Sequence, residues 1–600
     1  MIDTQIDPND LCVIPDPLSL QLLEGTSEMC ADSRLVTANV LPLQRKTIRS
    51  VLAAAGIRVV ANKKRFIIEI HVVPAEELEL SDVPEDLRGD FYELTVENNL
   101  VTIRTASQVG ALWGAQTLAW LYRSGGRETL TPNFRIRDWS SGCEPGVFVD
   151  MARGGKYMLS ADWEQLMDRL TLFKMKHFAI RAFGRPPSQG AVEGDLFCLP
   201  WSDEEDEEEL AAPLLRRWFS VGNQEWQEDE LYQQIIQDKM WGDLVMCANE
   251  RGLTLAMVCD PFGRFCQIPR VRPELSSVAA DGTPTGTAFC LSNPDVRTFL
   301  DELFGKVIQR DYAKGVHPFH LDVAEAPAGT ECHCGKCTGK DPEKLCEDHR
   351  AWFIEMLKAK GVPEVWVWEG SEAEPCLDAA APKLHLHDSV LAGANATEPP
   401  PPIAYVRVDD NDPLDFAPLS RFAARSWHGG DTEKAKVCEK SVANVVLGGE
   451  RGEAFLAIAE RLNELDARLV EAGGISLFNC RHADRSPIQI PAVKEYVKGA
   501  DADVFEPIAS EGTAIGEDAQ ALLTDEDRGT SSECLRTLAG LGQVGAALAE
   551  FAAGLARDDS PAARQAVERG IRSSQAILPR WLETVFTDEF SGIVAQFDGS

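Results

Sequence analysis

Carboxylates that close apolar runs are the first residues here with chemistry in them. Glu325 follows Val316-His-Pro-Phe-His-Leu321, with Asp322 three positions before it. Glu369 closes Val365-Trp-Val-Trp-Glu-Gly370, and Glu450 closes Val445-Val-Leu-Gly-Gly-Glu-Arg451. Such runs read as buried strands. A carboxyl at the end of one, partly withdrawn from water, can hold its proton near neutral pH and serve as a general acid. Glu325 is the best candidate for that role. If residues 444–448 form a seventh barrel strand, Glu450 becomes the opposing nucleophile, expected about 5–5.5 Å from Glu325. Asp322 shares a side with Glu325 only if the chain leaves strand geometry between them, since side chains alternate along a strand. Its other reading is a structural aspartate that accepts backbone N–H bonds.

The most distinctive short cluster is Cys332-His-Cys-Gly-Lys-Cys337, with Cys346 nine residues further on. Zinc takes four N or S ligands in a tetrahedron. Cys332, Cys334 and Cys337, completed by His333 or Cys346, can supply them for a structural zinc. A matching second Cys-x-x-Cys pair is lacking. Reduced thiols, or a disulfide clamping the loop after Glu325, are the other readings. The carboxylate chemistry itself requires no cofactor.

The elements that must position these groups follow from pattern. Residues 1–138 read as a small α/β domain. Phe66–Val73 is a buried strand, and two further strands, 91–96 and 100–104, flank the hairpin signal Glu97-Asn98-Asn99. Ser107 then caps a helix whose apolar positions include Leu112, Leu118 and Leu121. From 139 to 505, short apolar runs alternate with amphipathic segments, the mark of parallel β/α units. The candidate strands are 147–151, 176–182, 253–258, 317–323, 364–368, 383–387, 403–408, 444–448 and 475–479. That is one more than the eight places of a barrel, so one run between 383 and 448 is expected to lie outside it. A helix spans about 162–176, with Trp163, Leu166, Leu170 and Phe173 on its apolar face. Asp203–Glu209 is an acidic run that reads as a solvated loop, and the prolines at 399–402 read as a stiff connector. Residues 506–600 read as a helical region, with helices near 530–557 and 560–585; Ser560-Pro561 opens the second.

Gly110-Ala-Leu-Trp-Gly-Ala-Gln-Thr-Leu-Ala-Trp-Leu121 resembles the helix that ends the N-terminal domain of family-20 β-N-acetylhexosaminidases. Gly146-Val-Phe-Val-Asp150-Met-Ala-Arg153 resembles that family's first barrel strand, and 166–177 its first barrel helix. His320-Leu-Asp-Val-Ala-Glu325 is a weaker echo of its His-x-Gly-Gly-Asp-Glu. The resemblance implies an α/β protein: a (β/α)8 TIM-type barrel preceded by a small zincin-like α/β domain and followed by a helical C-terminal region. It implies cleavage of terminal N-acetylhexosamines, in which Glu325 protonates the leaving oxygen and the substrate acetamido group is the nucleophile. It places Asp150 and Arg153 at the mouth of the first strand, where their other reading is a buried ion pair that shapes the site. Read from the residues, Trp366 and Trp368 share a face and can stack on a sugar or fill the core, Glu369 ends their strand, and Arg425 to Gly430, with Trp427, and the acidic run 409–412 are rim candidates or plain loop residues. Two departures stand out. Ala324 replaces the family's acetamide-orienting Asp, and Pro145 falls where a sugar-binding Arg is expected. They motivate a second reading, a catalytically silent barrel that binds saccharides or acts as a scaffold.

Charge narrows the partners. With 59 basic and 95 acidic residues, the net charge is −36. So acidic a surface disfavours nucleic acid and anionic membranes and leaves neutral or cationic small molecules open; a neutral or N-acetylated saccharide partner is what the resemblance implies. Neither a basic-then-apolar leader nor an apolar run of about 18 residues is visible in the sequence, so the expectation is a cytoplasmic protein with no membrane span.

Overall fold

The computed structural model describes residues 13–62, 65–125, 129–140, 144–150, 158–181, 214–231, 240–263, 268–309, 318–321, 332–362, 365–367, 403–409, 414, 416–428, 437, 439–447, 451–478, 480–484, 486–525, 527 and 529–599.

The first domain is a seven-stranded mixed sheet. Its strands are β1 (Ser19–Met29), β2 (Asp32–Ala38), β3 (Arg58–Val59), β4 (Ile67–Val72), β5 (Tyr92–Glu97), β6 (Leu100–Thr105) and β7 (Thr129–Asp138), in the spatial order β1-β7-β5-β6-β4-β2-β3. Local chemistry explains the hairpin. Asn98 and Asn99 both adopt left-handed φ (54° and 60°), and the β5–β6 register closes at Glu97↔Leu100. Ser107 caps the helix Gln108–Gly125 by accepting the Gly110 N–H at 2.8 Å. Gly110 and Gly114 let that helix lie flat on the sheet. A Cβ on either would come within 2.5 Å of another atom, the Phe91 carbonyl oxygen for Gly110 and Ile103 Cγ2 for Gly114.

The second sheet begins with β8 (Glu144–Asp150) and β9 (His177–Arg181). A hairpin of β10 (Leu214–Ser220) and β11 (Glu225–Leu231) follows, then β12 (Thr254–Cys259), a second hairpin of β13 (Ser276–Val278) and β14 (Pro284–Phe289), and then β15 (Phe319–Leu321), β16 (Val365–Val367) and β17 (Ile403–Asp409). Six of these strands pair in parallel in the order β17-β8-β9-β12-β15-β16. The first five strands follow chain order and the last returns to the free edge of the first, which is the order of a β/α ring. Among the described residues the six form an arc, and no ladder joins β16 to β17. The two faces differ. Phe148, Ala179, Ala256 and Val258 cluster together on one, while Val147, Val149, Phe178, Ile180, Leu255 and Met257 join the main core on the other. Trp163, Leu166, Leu170 and Phe173 are all buried, as their spacing predicts, the first three on the helix Ser160–Leu172.

Two expected strands are corrected. Residues 444–447 lie in the helix Glu439–Leu447, because a short apolar run suits a buried helix as well as a strand. Of the described residues in 475–479, only Ile475–Ser476 (β18) is extended, and it pairs antiparallel with β19 (Arg481–His482) outside the parallel sheet. Residues 383–387 lie outside the described residues.

The C-terminal region is a helical bundle. The expected helix 560–585 is two helices, Ser560–Ile577 and Arg580–Phe597, broken at Leu578-Pro579, because proline cannot continue a helix. With Glu506–Leu522 and Thr530–Ala556 they form a bundle that the earlier helix Gly452–Gly473 also joins. Thr530–Ala556 is the one described helix long and apolar enough to cross a membrane, yet 89% of that apolar window is buried in the protein, as in a core helix. It meets Glu506–Leu522 backbone to backbone. A Cβ on Gly542 would lie 2.7 Å from Gly516 N and 2.8 Å from Gly512 O. The β10–β11 hairpin is bonded to this bundle, with Arg216 Nε donating to Asp588 Oδ1 (2.6 Å) and Phe219 N to Ser591 Oγ (2.9 Å).

Candidate active-site face and cysteine centre

In a parallel β/α ring, reactive groups belong at the C-terminal ends of the strands. Those ends are Asp150 on β8, Arg181 on β9, Cys259 on β12, Leu321 on β15, Val367 on β16 and Asp409 on β17. The ladder sets Asp409 directly beside Asp150, and Arg181 beside Val258. Asp260 follows β12, is buried, and accepts the Phe262 N–H at 2.8 Å. Asp260 and Arg181 are rim residues that the sequence reading passed over. Asp260 closes an apolar run just as Glu325 does, which was the available signal. Trp366 lies within β16, paired with His320. Arg153, Asp322, Ala324, Glu325, Trp368, Glu369 and Glu450 lie outside the described residues. The seventh strand on which Glu450's role as nucleophile depended is replaced by the helix Glu439–Leu447. Pro145 is the second residue of β8, paired with Ala404, and as an imino acid it offers no donor.

Trp427 is not at the rim, and its rim assignment is corrected. It ends the helix Phe416–Trp427, which packs on β8 and β17, and it is fully buried. A helix following a barrel strand runs back toward the strands' N-terminal ends, so its last turn meets the first domain. There Trp427 Nε1 donates to Asp138 Oδ1 at 3.0 Å, and its ring stands edge-on to Trp113. Lys174, between the helix Ser160–Leu172 and β9, completes the cluster. Its Nζ donates to Asp138 Oδ2 and to Tyr92 Oη, both at 2.9 Å, and lies 4.7 Å from the Trp427 ring centroid. Burial draws the Lys174 ammonium below its ordinary range, against the pull of Asp138. A second cluster sits beside it. Lys176 Nζ reaches Asp90 Oδ2 (2.5 Å) and Glu144 Oε1 (2.8 Å), while His177 Nε2 lies 2.6 Å from Glu144 Oε2. Burial pushes the Glu144 carboxyl up, but His177 and Lys176 outweigh it and hold it at about 2. Both clusters mark the floor of the ring, the end a barrel uses for stability.

The cysteines do converge. The Sγ atoms of Cys290, Cys332, Cys334 and Cys337 all lie within 4.8 Å of one another. Cys290, directly after β14, is 3.6 Å from Cys334 and 3.7 Å from Cys337. The fourth member expected from sequence is corrected. Cys346 sits in the helix Pro342–Ala359, capped by Asp341, and packs into the main core, whereas His333 is exposed. Backbone N–H groups aim at the sulfurs. Val278 N donates to Cys332 Sγ at 3.3 Å, and the N–H groups of Lys336 and Cys337 bond Cys334.

A class follows from this frame: a parallel β/α protein whose strands run in the order of a ring, with an α/β domain at their N-terminal ends and a helical bundle after them. Residues 10–139 match the family model described as glycosyl hydrolase family 20, domain 2, so the N-terminal domain is similar to that domain. Among solved structures, the chain resembles the chitobiase of Flavobacterium johnsoniae, with a TM-score of 0.54 and 14% identity over 98% of this chain and 100% of that one. It also resembles the family-20 exo-β-N-acetylglucosaminidase of Vibrio harveyi, solved with N-acetylglucosamine, with a TM-score of 0.50 and 14% identity over 70% of this chain and 74% of that one. For a β-N-acetylhexosaminidase of Bacteroides fragilis the TM-score is 0.44, with 16% identity over 59% of this chain and 66% of that one. No curated protein sequence matches the chain. The likenesses to the Flavobacterium and Vibrio structures show the fold, a barrel domain behind an N-terminal domain.

Proposed function

We propose that this protein is a glycoside hydrolase acting on terminal N-acetylhexosamine glycosides, with Glu325 as the general acid. The observation that carries the reading is the family-20-like domain at residues 10–139, docked on the floor of a parallel sheet whose fourth strand ends at Leu321. Asp322 and Glu325 follow Leu321 in the sequence. In this reading Glu325 protonates the leaving oxygen and the substrate acetamido group attacks the anomeric carbon. Asp322 takes the orienting role that Ala324 cannot fill. Asp150 at the end of β8 and Asp409 at the end of β17, paired in register, are the acceptors this reading assigns to sugar hydroxyls.

The test compares wild type with Glu325→Gln on aryl N-acetylglucosaminides, N-acetylgalactosaminides and the corresponding glucosides. Loss of a general acid lowers turnover by about 10²–10⁴-fold, most for leaving groups that need the proton. Equal turnover by both proteins sinks the assignment. Ala324 keeps the second reading alive: calorimetric binding of the same sugars without turnover would make this a saccharide-binding barrel.

A further inference from the structure

We propose that Cys290, Cys332, Cys334 and Cys337 are the four thiolate ligands of a structural zinc ion. This inference is independent of the glycosidase reading.

Geometry comes first. Zinc–sulfur bonds of about 2.3 Å in a tetrahedron place the sulfurs roughly 3.8 Å apart. The measured separations from Cys290, 3.6 and 3.7 Å, already approach that spacing, and all four sulfurs fit within 4.8 Å. The surroundings are wrong for thiols acting as small core hydrophobes. Cys332 and Cys334 are half-buried among the exposed His333, Gly335 and Lys336. Cys290 and Cys337 are buried but belong to no hydrophobic cluster; they face the other sulfurs instead.

The backbone is arranged as thiolates need. A tight turn brings the N–H groups of Cys337 and Thr338 onto the Cys334 carbonyl, each at 3.0 Å, and leaves N–H donors aimed at Cys332 and Cys334. Such donors spread the charge of sulfur bound to a cation. His333 N also bonds Val278 O at 2.8 Å, which ties the two ligand-bearing segments together. An all-sulfur tetrahedron, without an oxygen donor or an open position, matches a closed structural zinc site. Binding releases the thiol protons, up to four per ion, as four Zn–S bonds form.

The ion would clip the hairpin after β12 to the chain that follows β15. Its first ligand on that chain, Cys332, comes eleven residues after Leu321.

The experiment uses the full chain, purified without chelator under reducing conditions. Elemental analysis should find one zinc per chain, and X-ray absorption at the zinc edge should find four sulfurs at about 2.3 Å. Cys290→Ser should lower zinc content at least about tenfold after dialysis against a competing chelator, while Cys346→Ser should retain it. If Cys290→Ser fails to fold, the absorption spectrum of cobalt-substituted wild type still counts the thiolates. Iron in place of zinc, a mass two daltons low for a disulfide among these four, full zinc retention in Cys290→Ser, or thiols that bind no added zinc would each overturn the proposal.

Discussion

Replacing Lys174 with Met would test whether the two domains are held together by charge. Lys174 and Asp138 are both wholly buried, their charged atoms 2.9 Å apart. The Asp138 carboxylate accepts four donors: Lys174 Nζ, Tyr92 Oη–H at 2.7 Å, Trp427 Nε1–H at 3.0 Å and Leu18 N–H at 3.1 Å. Lys174→Met removes the one cationic donor and leaves a buried carboxylate with three neutral partners. Removing one member of a buried pair costs about 3–5 kcal/mol, and the three remaining donors put this case near 3. Asp138→Asn should cost about 2 kcal/mol, because the lysine, already drawn toward neutrality by burial, can release its proton. The double variant holds no buried charge. Its cost should fall short of the sum of the singles by about 2 kcal/mol. Urea unfolding followed by tryptophan emission reads the relevant transition, since Trp113 and Trp427 line the cluster. A Lys174→Met cost below about 1 kcal/mol, or an additive cycle, would refute the reasoning.

Three further outcomes are expected. Burial holds the Glu533 carboxyl at about 7, against the pull of Arg169 and Arg536, so the native state binds its proton more tightly than the unfolded chain. Its contribution is complete below pH 4.5 and is lost as pH rises to about 7, so Glu533→Gln should gain about 1–2 kcal/mol at pH 8 and nothing at pH 4, read by unfolding at both pH values. His349, buried with Nε2 2.9 Å from Pro261 O, is pushed down to about 4 by burial. Its contribution is complete above pH 6.5 and lost as pH falls toward 4, so a pH titration of stability should show His349→Gln flattening that acid limb; an unchanged slope would count against it. Gly542→Ala should cost about 1–3 kcal/mol by forcing two helix backbones apart, whereas Gly592→Ala, with open space at its Cβ, should stabilise by about 0.5–1 kcal/mol; thermal melts of the two variants should shift in opposite directions.

What the sequence shows plainly is what local chemistry decides. The Asn98-Asn99 turn, the Ser107 cap and the buried face of the helix Ser160–Leu172 all depend on residues within a few positions of each other. Strands bounded by turn signals were legible for the same reason. The run 444–447 was not, because three or four apolar residues fit either periodicity and packing against other helices decides. Cys290 was hidden because it stands 42 residues before Cys332, inside Phe289-Cys290-Leu291, which reads as core. Only the fold of the β13–β14 hairpin brings it to the other sulfurs. Trp427 looked like a rim residue beside Arg425, His428 and two glycines. Its distance of four from Ala423, also buried, was the helical signal that outweighs those neighbours.

The two clusters beneath the strands divide the molecule's vulnerabilities. The contacts the first domain makes from Asp90 to Lys176 and from Asp138 to Trp427 lie at the foot of the sheet. Errors there should surface as poor expression and aggregation, whereas errors in the loops above should leave yield intact. A random-mutation screen scored separately for soluble yield and for sugar binding would then sort its hits into two layers, one at each end of the same strands.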